Sequence, residues 1–160
     1  MKEQRRGRRI ALSPEERNQF LTGARTCRVA TVSASGPHVS PLWFVWHDES
    51  IWLYSITTSQ RFKDLHEDPR IAIVVDDGHD YLELRGVEIS GRARVVGEVP
   101  RTGEQAVPEL VPVENAFAAK YQGTENMGHD GRHAWLTIDI GKIVSWDFRK
   151  IAEVSGARQR

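Results

Sequence analysis

The sequence predicts a mainly β protein, with six or seven antiparallel strands in one barrel and two or three helices packed outside it. Three observations carry this. Val87, Ile89, Gly91, Ala93 and Val95 alternate with Glu88, Ser90, Arg92 and Arg94, the period-two pattern of a strand with one wet face. Short apolar runs recur between turn clusters such as Ala34-Ser35-Gly36-Pro37 and Asp76-Asp77-Gly78, as hairpins require. Gly86 and Gly91 interrupt the alternating run, where a barrel corner needs a bend or a bulge.

The elements follow in order. Ser13-Pro14-Glu15-Glu16 is a capping box with proline at the first helical position, so a helix over residues 14–21 is expected. Residues 28–33 read as a strand that returns through residues 38–46. On that return strand Leu42, Phe44 and Trp46 point one way and Trp43 and Val45 the other, because side chains alternate across a strand. Both faces are apolar, so the second face must meet a subunit, a helix or a flat ligand. Its aromatic excess fits a subunit interface. Residues 51–55 and 71–75 are further strands, and residues 81–96 form a long strand or pair bent at Arg85-Gly86. Pro108 and Pro112 break the helical candidate over residues 101–121 and leave its last segment, 113–121. Residues 122–132 carry three glycines and no periodicity, which predicts a mobile loop. Residues 134–140 and 143–148 then read as a last hairpin around Gly141-Lys142.

The composition narrows the function classes. With 39% hydrophobic and 28% charged residues in 160, one soluble domain with a real core is expected. A formal net charge of zero argues against a dedicated nucleic-acid binder. Residues 1–9 hold five basic side chains and one acidic. Residues 1–11 are therefore expected to be a disordered basic arm, residues 12–151 the folded domain and residues 152–160 a disordered tail. No apolar run reaches the length of a membrane span, and no apolar segment follows the N-terminal charges. A cytoplasmic protein that binds neither membrane nor nucleic acid is expected. The single Cys27 permits no internal disulfide and no CxxC motif, and reads as a buried small residue.

One stretch carries a candidate site. Residues 51–70 read as strand, polar turn and short helix, with Ser59 as the helix N-cap and Pro69 ending the run. Arg61 and Lys63 stand at the helix start, on an exposed face, where fixed cations disfavour the empty helix. They make sense if an anion sits there, because amides, hydroxyls and cations then converge on one phosphate. Other chemistries lack their motifs. The sequence has no GxSxG elbow, no P-loop and no GxGxxG. His129 and His133 are four apart, but Gly131 between them opposes the helix that a shared metal would need, so no metal site is expected. His133 remains a weak catalytic candidate as a polar group near a pocket. A barrel with an anion-binding turn, an aromatic strand and little acid–base equipment suits a bound redox cofactor.

Four segments together resemble a known family: RVATVSASGPHVSPLWFVW (28–46), LYSITTSQRFKDLHEDPRIAIVV (53–75), VEISGRARVV (87–96) and IVSWDFRK (143–150). In order and spacing they are similar to the pyridoxamine 5′-phosphate oxidase-like flavin- and deazaflavin-binding proteins. The resemblance implies a split β-barrel of Greek-key type and a homodimer with the cofactor in a groove between subunits. It implies that Ser40, Pro41, Leu42 and Trp43 lie along the cofactor ring. It implies that Ser55, Thr57, Thr58, Ser59, Gln60, Arg61 and Lys63 surround its phosphate, and that Trp146 and Asp147 approach the ring from the partner. Gln60 and Arg61 stand where the family usually has Arg and Lys, and Lys63 is the replacement cation. The C-terminal Arg-x-His of the vitamin B6 oxidases is replaced by Arg132-His133. The compact chain looks more like the deazaflavin branch, which implies an F420-dependent reductase acting on a small electron-poor substrate. An FMN-dependent oxidoreductase on the same fold, or a non-catalytic flavin-binding, haem-binding or cofactor-storage protein, is the alternative.

Overall fold

The computed structural model describes residues 2, 4, 5 and 7–151; the expected tail over residues 152–160 lies outside them. Six antiparallel strands close into a barrel: β1 (Thr26–Ser33), β2 (Gly36–His47), β3 (Ser50–Ile56), β4 (Arg70–Asp77), β5 (Arg85–Val96) and β6 (His133–Asp147). Their order around the barrel is β1-β2-β3-β6-β5-β4, so β4, β1, β2 and β3 form a Greek key. Closure gives each strand a neighbour on both sides, although β6 beyond Thr137 is paired, among the six strands, with β5 alone.

Three helices lie outside: α1 (Pro14–Gly23), α2 (Gln60–Glu67) and α3 (Val111–Phe117). The α1 capping box forms as expected. The Ser13 hydroxyl accepts from the Glu16 amide (3.2 Å) and the Glu16 carboxylate from the Ser13 amide (2.7 Å). In α2 the Ser59 hydroxyl caps the Phe62 amide at 3.2 Å. Pro108 and Pro112 do divide the region before the loop. A 3₁₀ turn over Pro108–Leu110 leads into α3, and a π-helical turn, Ala118–Gln122, ends it.

The doubly apolar β2 separates two cores. Phe44 and Trp46 join Val29, Leu53, Ile73, Ile89 and Leu136 inside the barrel. Val45 turns outward and packs with Trp52, Tyr54, Val96 and Trp135 beneath Leu110, Val113 and Phe117. A helix therefore covers the second face at Val45, while Trp43 stays half-exposed. Cys27 is fully buried, and burial pushes its thiol up to about 12.

One expectation needs correction. Residues 134–148 do not form a hairpin, because β6 is one strand paired along its length with β5. Ser90 pairs with Lys142 and Gly91 with Ile140, so Gly141 is the extra residue of a β-bulge. Lys2 and Gln4, within residues 1–11, bond to β6. The Lys2 amide donates to the Gly141 carbonyl at 2.7 Å, and the Gln4 side chain bonds both the amide and the carbonyl of Ser145 at 3.0 Å. The bulge and the amphiphilic edge of β6 give these polar residues somewhere to bond. Among the described residues, no helix is long and apolar enough to cross a membrane.

Candidate functional site

A cleft of about 470 Å³ opens on the outer face of β2 and β3, where α3 and the loop before β6 overhang them. This volume is within the range of small-ligand sites. Pro41, Leu42, Trp43, Tyr54 and Phe117 supply its apolar wall, and Gln122, Asp130 and His133 its polar rim. Trp43 stacks on Tyr121 with ring centroids 4.5 Å apart and planes within 8°. Tyr121 is fixed in turn. Its hydroxyl accepts from the Phe44 amide (3.2 Å) and lies 2.8 and 2.7 Å from the Phe44 and Arg25 carbonyls, one of which takes its hydrogen. Lys120 lies over the Phe44 ring, 4.6 Å from its centroid. Burial, with the Arg25 charge nearby, pulls this ammonium down to about 8.

At the rim, His133 Nδ1 is 2.7 Å from Asp130 Oδ2, and its ring stacks on Tyr54 at 4.7 Å and 16°. The other Asp130 oxygen accepts from the amides of Arg132 (2.9 Å) and His133 (3.3 Å). These bonds hold the Asp130 carboxyl below its usual range against the opposing effect of burial. The Tyr54 hydroxyl is buried without a hydrogen-bond partner among the described residues. Burial, reinforced by the charges of Asp130 and Glu114, pushes it up to about 12.

Of the predicted phosphate residues, Ser40, Ser55 and Arg61 meet on the other side of the same strands. Ser40 and Ser55 share the inward parity of Leu42 and Leu53. Arg61 reaches between them, donating from Nε to the Ser55 hydroxyl at 3.2 Å and from Nη1 to the Ser40 hydroxyl. Arg61 is only 6% exposed, which corrects the expectation that both cations are exposed; of the two, Lys63 is the exposed one. No carboxylate pairs with Arg61 among the described residues, and burial lowers its affinity for the proton. Gln60 turns away from the turn and donates to Asp64 at 2.7 Å. Thr57 donates through both its amide and its hydroxyl to the Arg132 carbonyl, so the turn is tied to the loop that carries the rim.

Of the sequence-predicted residues, Pro41, Leu42, Trp43 and His133 therefore line the cleft. Ser40, Ser55 and Arg61 close the barrel end beneath it. Trp146 and Asp147 sit elsewhere on the chain, Trp146 against Gly86 and Asp147 paired with Arg149 at 2.5 Å. Tyr54, Phe117, Tyr121 and Asp130 were missed. The four-residue spacing of Phe117 and Tyr121 was the available signal for two of them.

A buried polar cluster backs the cleft. Glu114 on α3 accepts from Arg101 Nε (2.7 Å) and the Trp135 indole (3.2 Å), and lies 3.1 Å from His129 Nε2. Arg101 also pairs with Glu98. Through His129 this cluster ties the overhanging loop to α3.

A flat aromatic wall on one face of β2 and β3, and on the other a guanidinium with no carboxylate partner among the described residues, suit a ligand with a planar ring and an anionic tail. The model of the pyridoxamine 5′-phosphate oxidase family matches residues 13–147. No curated protein matches the chain. Among solved structures, a conserved hypothetical protein from Mycobacterium tuberculosis is 29% identical, with a TM-score of 0.75 over 94% of this chain and 93% of that one. A FAD-binding protein from Mesorhizobium loti (20% identity, TM-score 0.64, 84% and 94% covered) and an F420 reductase (22%, 0.56, 79% and 94%) share the fold.

Proposed function

Since the chain belongs to the pyridoxamine 5′-phosphate oxidase family, we propose that it is an F420-dependent reductase that works as a homodimer. The observation that supports this reading is one pair of strands carrying two features. Their outer face bears the stacked Trp43–Tyr121 wall, and their inner face holds Arg61 with no carboxylate among the described residues to neutralise it. Trp43 and Tyr121 would hold a planar ring, and Thr57, Thr58 and Ser59 would hold the cofactor's anion at their turn. There the α2 amides and Arg61 favour negative charge. A bound reduced deazaflavin supplies a hydride; the protein supplies position, exclusion of water and a fixed field.

The charge at the turn favours F420 over FMN. With Gln60 bonded to Asp64, Arg61 is the one buried cation there. A single cation matches the single charge of F420's phosphodiester better than the near-dianionic phosphate that ends FMN. The homodimer rests on a stripe across β1 and β2. Val39 opposes Ala30, Pro37 opposes Val32 and Trp43 opposes Thr26, and Val32, Val39 and Trp43 are 42%, 66% and 49% exposed. An apolar stripe of this kind on a small barrel is the signature of an interface. Family resemblance would then bring the partner's Trp146 and Asp147 to the ring.

Anaerobic mixing of the protein with reduced F420 and a conjugated carbonyl or nitro acceptor tests the activity. Reduced cofactor should be consumed only when both protein and acceptor are present. Light scattering should give about twice the 18.1 kDa chain mass. Cofactor binding without turnover on any acceptor would leave a carrier instead of an enzyme.

A further inference from the structure

We infer that His133 is the proton donor for the substrate bound in the cleft, with Asp130 as its positioning residue, and that the substrate is a flat conjugated carbonyl such as an enone or quinone. The inference rests on the proposed reductase reading but not on the identity of the cofactor.

The dyad has the parts that proton transfer needs. His133 lines the cleft, and its Nδ1 is committed to Asp130 at 2.7 Å. When the bond is Nδ1–H to carboxylate, the tautomer is fixed and Nε2 becomes the working nitrogen. Asp130 is itself held by two amides through its other oxygen, so the carboxylate cannot swing away without losing three bonds. The imidazole plane is set by its stack on Tyr54.

The backbone is fixed as well. Ile56 pairs with His133 at the start of β6, the His133 carbonyl accepts from the Arg101 amide at 2.7 Å, and the preceding carbonyl accepts twice from Thr57. A group placed by a strand end and bonded on its far side is held to the tolerance that catalysis requires. His129, by contrast, spends its Nε2 on Glu114 inside the cluster.

The chemistry follows from the wall opposite. With the cofactor ring along Trp43, a flat apolar body would lie between that ring and Phe117, and the histidine would meet its polar edge. When a conjugated carbonyl gains a hydride at carbon, its π electrons move to the carbonyl oxygen. The imidazolium Nε2–H bond breaks and an O–H bond forms to that oxygen, using the oxygen's new lone pair. The neutral ring keeps its Nδ1–H bond to Asp130, and solvent at the cleft mouth restores the Nε2 proton. General acid catalysis of this kind is worth ~10²–10⁴-fold.

Three measurements test it. In ¹⁵N-histidine NMR of the cofactor-free protein, with His133→Gln as the assignment control, neutral His133 should show the Nδ1–H tautomer. Asp130→Asn should shift it towards Nε2–H while the melting temperature holds. Second, 4-nitrophenol serves as an oxyanion probe. Bound to the cofactor-free protein it should ionise at least tenfold more readily than on His133→Gln, read by phenolate absorbance. Third, with reduced cofactor and an enone, His133→Gln should lower kcat ~10²-fold and lose the solvent isotope effect, with cofactor affinity unchanged. An Nε2–H tautomer in wild type, or equal ionisation of the probe on both proteins, overturns the inference. Failure of every deazaflavin and flavin to bind overturns the reductase reading, and the first two measurements still decide the dyad.

Discussion

Replacing Arg101 with Ala should be the most damaging single change in the chain outside the hydrophobic cores. The Arg101 side chain is 5% exposed, and the Glu98 and Glu114 side chains that it pairs with are each 12% exposed. Removing the guanidinium leaves two largely buried carboxylates without their cation, and breaking a buried pair costs ~3–5 kcal/mol. For a chain of this size 1 kcal/mol moves Tm by about 2–4 °C, so the variant should melt about 6–20 °C lower. The loss also reaches the cleft, because Glu114 anchors His129 and Trp135.

The same cluster sets an acid limit. Burial alone would raise the Glu98 carboxyl, but amide and Arg101 hydrogen bonds drive it down to about 2, and Glu114 is lowered too by Arg101 and His129. A carboxyl depressed on folding contributes stability that is fully present above its unfolded value, about 4.3. That stability is lost as pH falls towards the folded value. Wild-type stability should therefore drop between about pH 4.3 and 2, and Glu98→Gln should flatten that part of the profile. Thermal melts of wild type and variants by circular dichroism from pH 7 to 2.5 would show this. An Arg101→Ala protein melting within 2 °C of wild type at pH 7 (under ~1 kcal/mol) would refute the reasoning.

Other outcomes follow from single contacts. Arg61→Met keeps the side-chain length and removes a buried charge whose desolvation costs several kcal/mol. Cofactor-free stability should stay within ~1 kcal/mol of wild type or rise, while F420 affinity falls about 10- to 100-fold. Urea titration and fluorescence titration read the two effects. Gly86→Ala places a methyl against the Trp146 ring and 2.9 Å from the Val75 carbonyl oxygen. It should cost ~1–3 kcal/mol and alter the near-ultraviolet signal of Trp146.

What the sequence disclosed was local, and what it hid was set by distant partners. The Ser13 and Ser59 caps, the hairpin after Ser33 and the proline-broken helix depend on residues within four positions of each other, so pattern sufficed. Gly141-Lys142 carries turn chemistry, yet twelve residues of β5 pair across it and convert the turn into a bulge. Arg61 looked exposed because charge sets the prior. It shares a helix face with the buried Asp64 and Leu65, and the inward serines that receive it sit on two other strands. Pro41, Leu42 and Trp43 were placed at a cofactor ring by the family resemblance; the apolar second face of Trp43 and Val45 by itself called only for an occupant. Tyr54 was missed, because only the pairing of β3 with β6 brings it beside His133; Asp130 lies three residues before His133 in a glycine-rich loop without periodicity.

The central claim is that this chain holds a deazaflavin ring on the Trp43 wall. Fluorescence and absorbance titration of the purified protein with F420, FMN and FAD at low micromolar concentration, repeated with Trp43→Ala, tests it most directly. The account predicts saturable F420 binding at one per chain, tighter than either flavin, and weakened at least tenfold by the substitution. Absence of F420 binding, or F420 binding indifferent to Trp43, would contradict it.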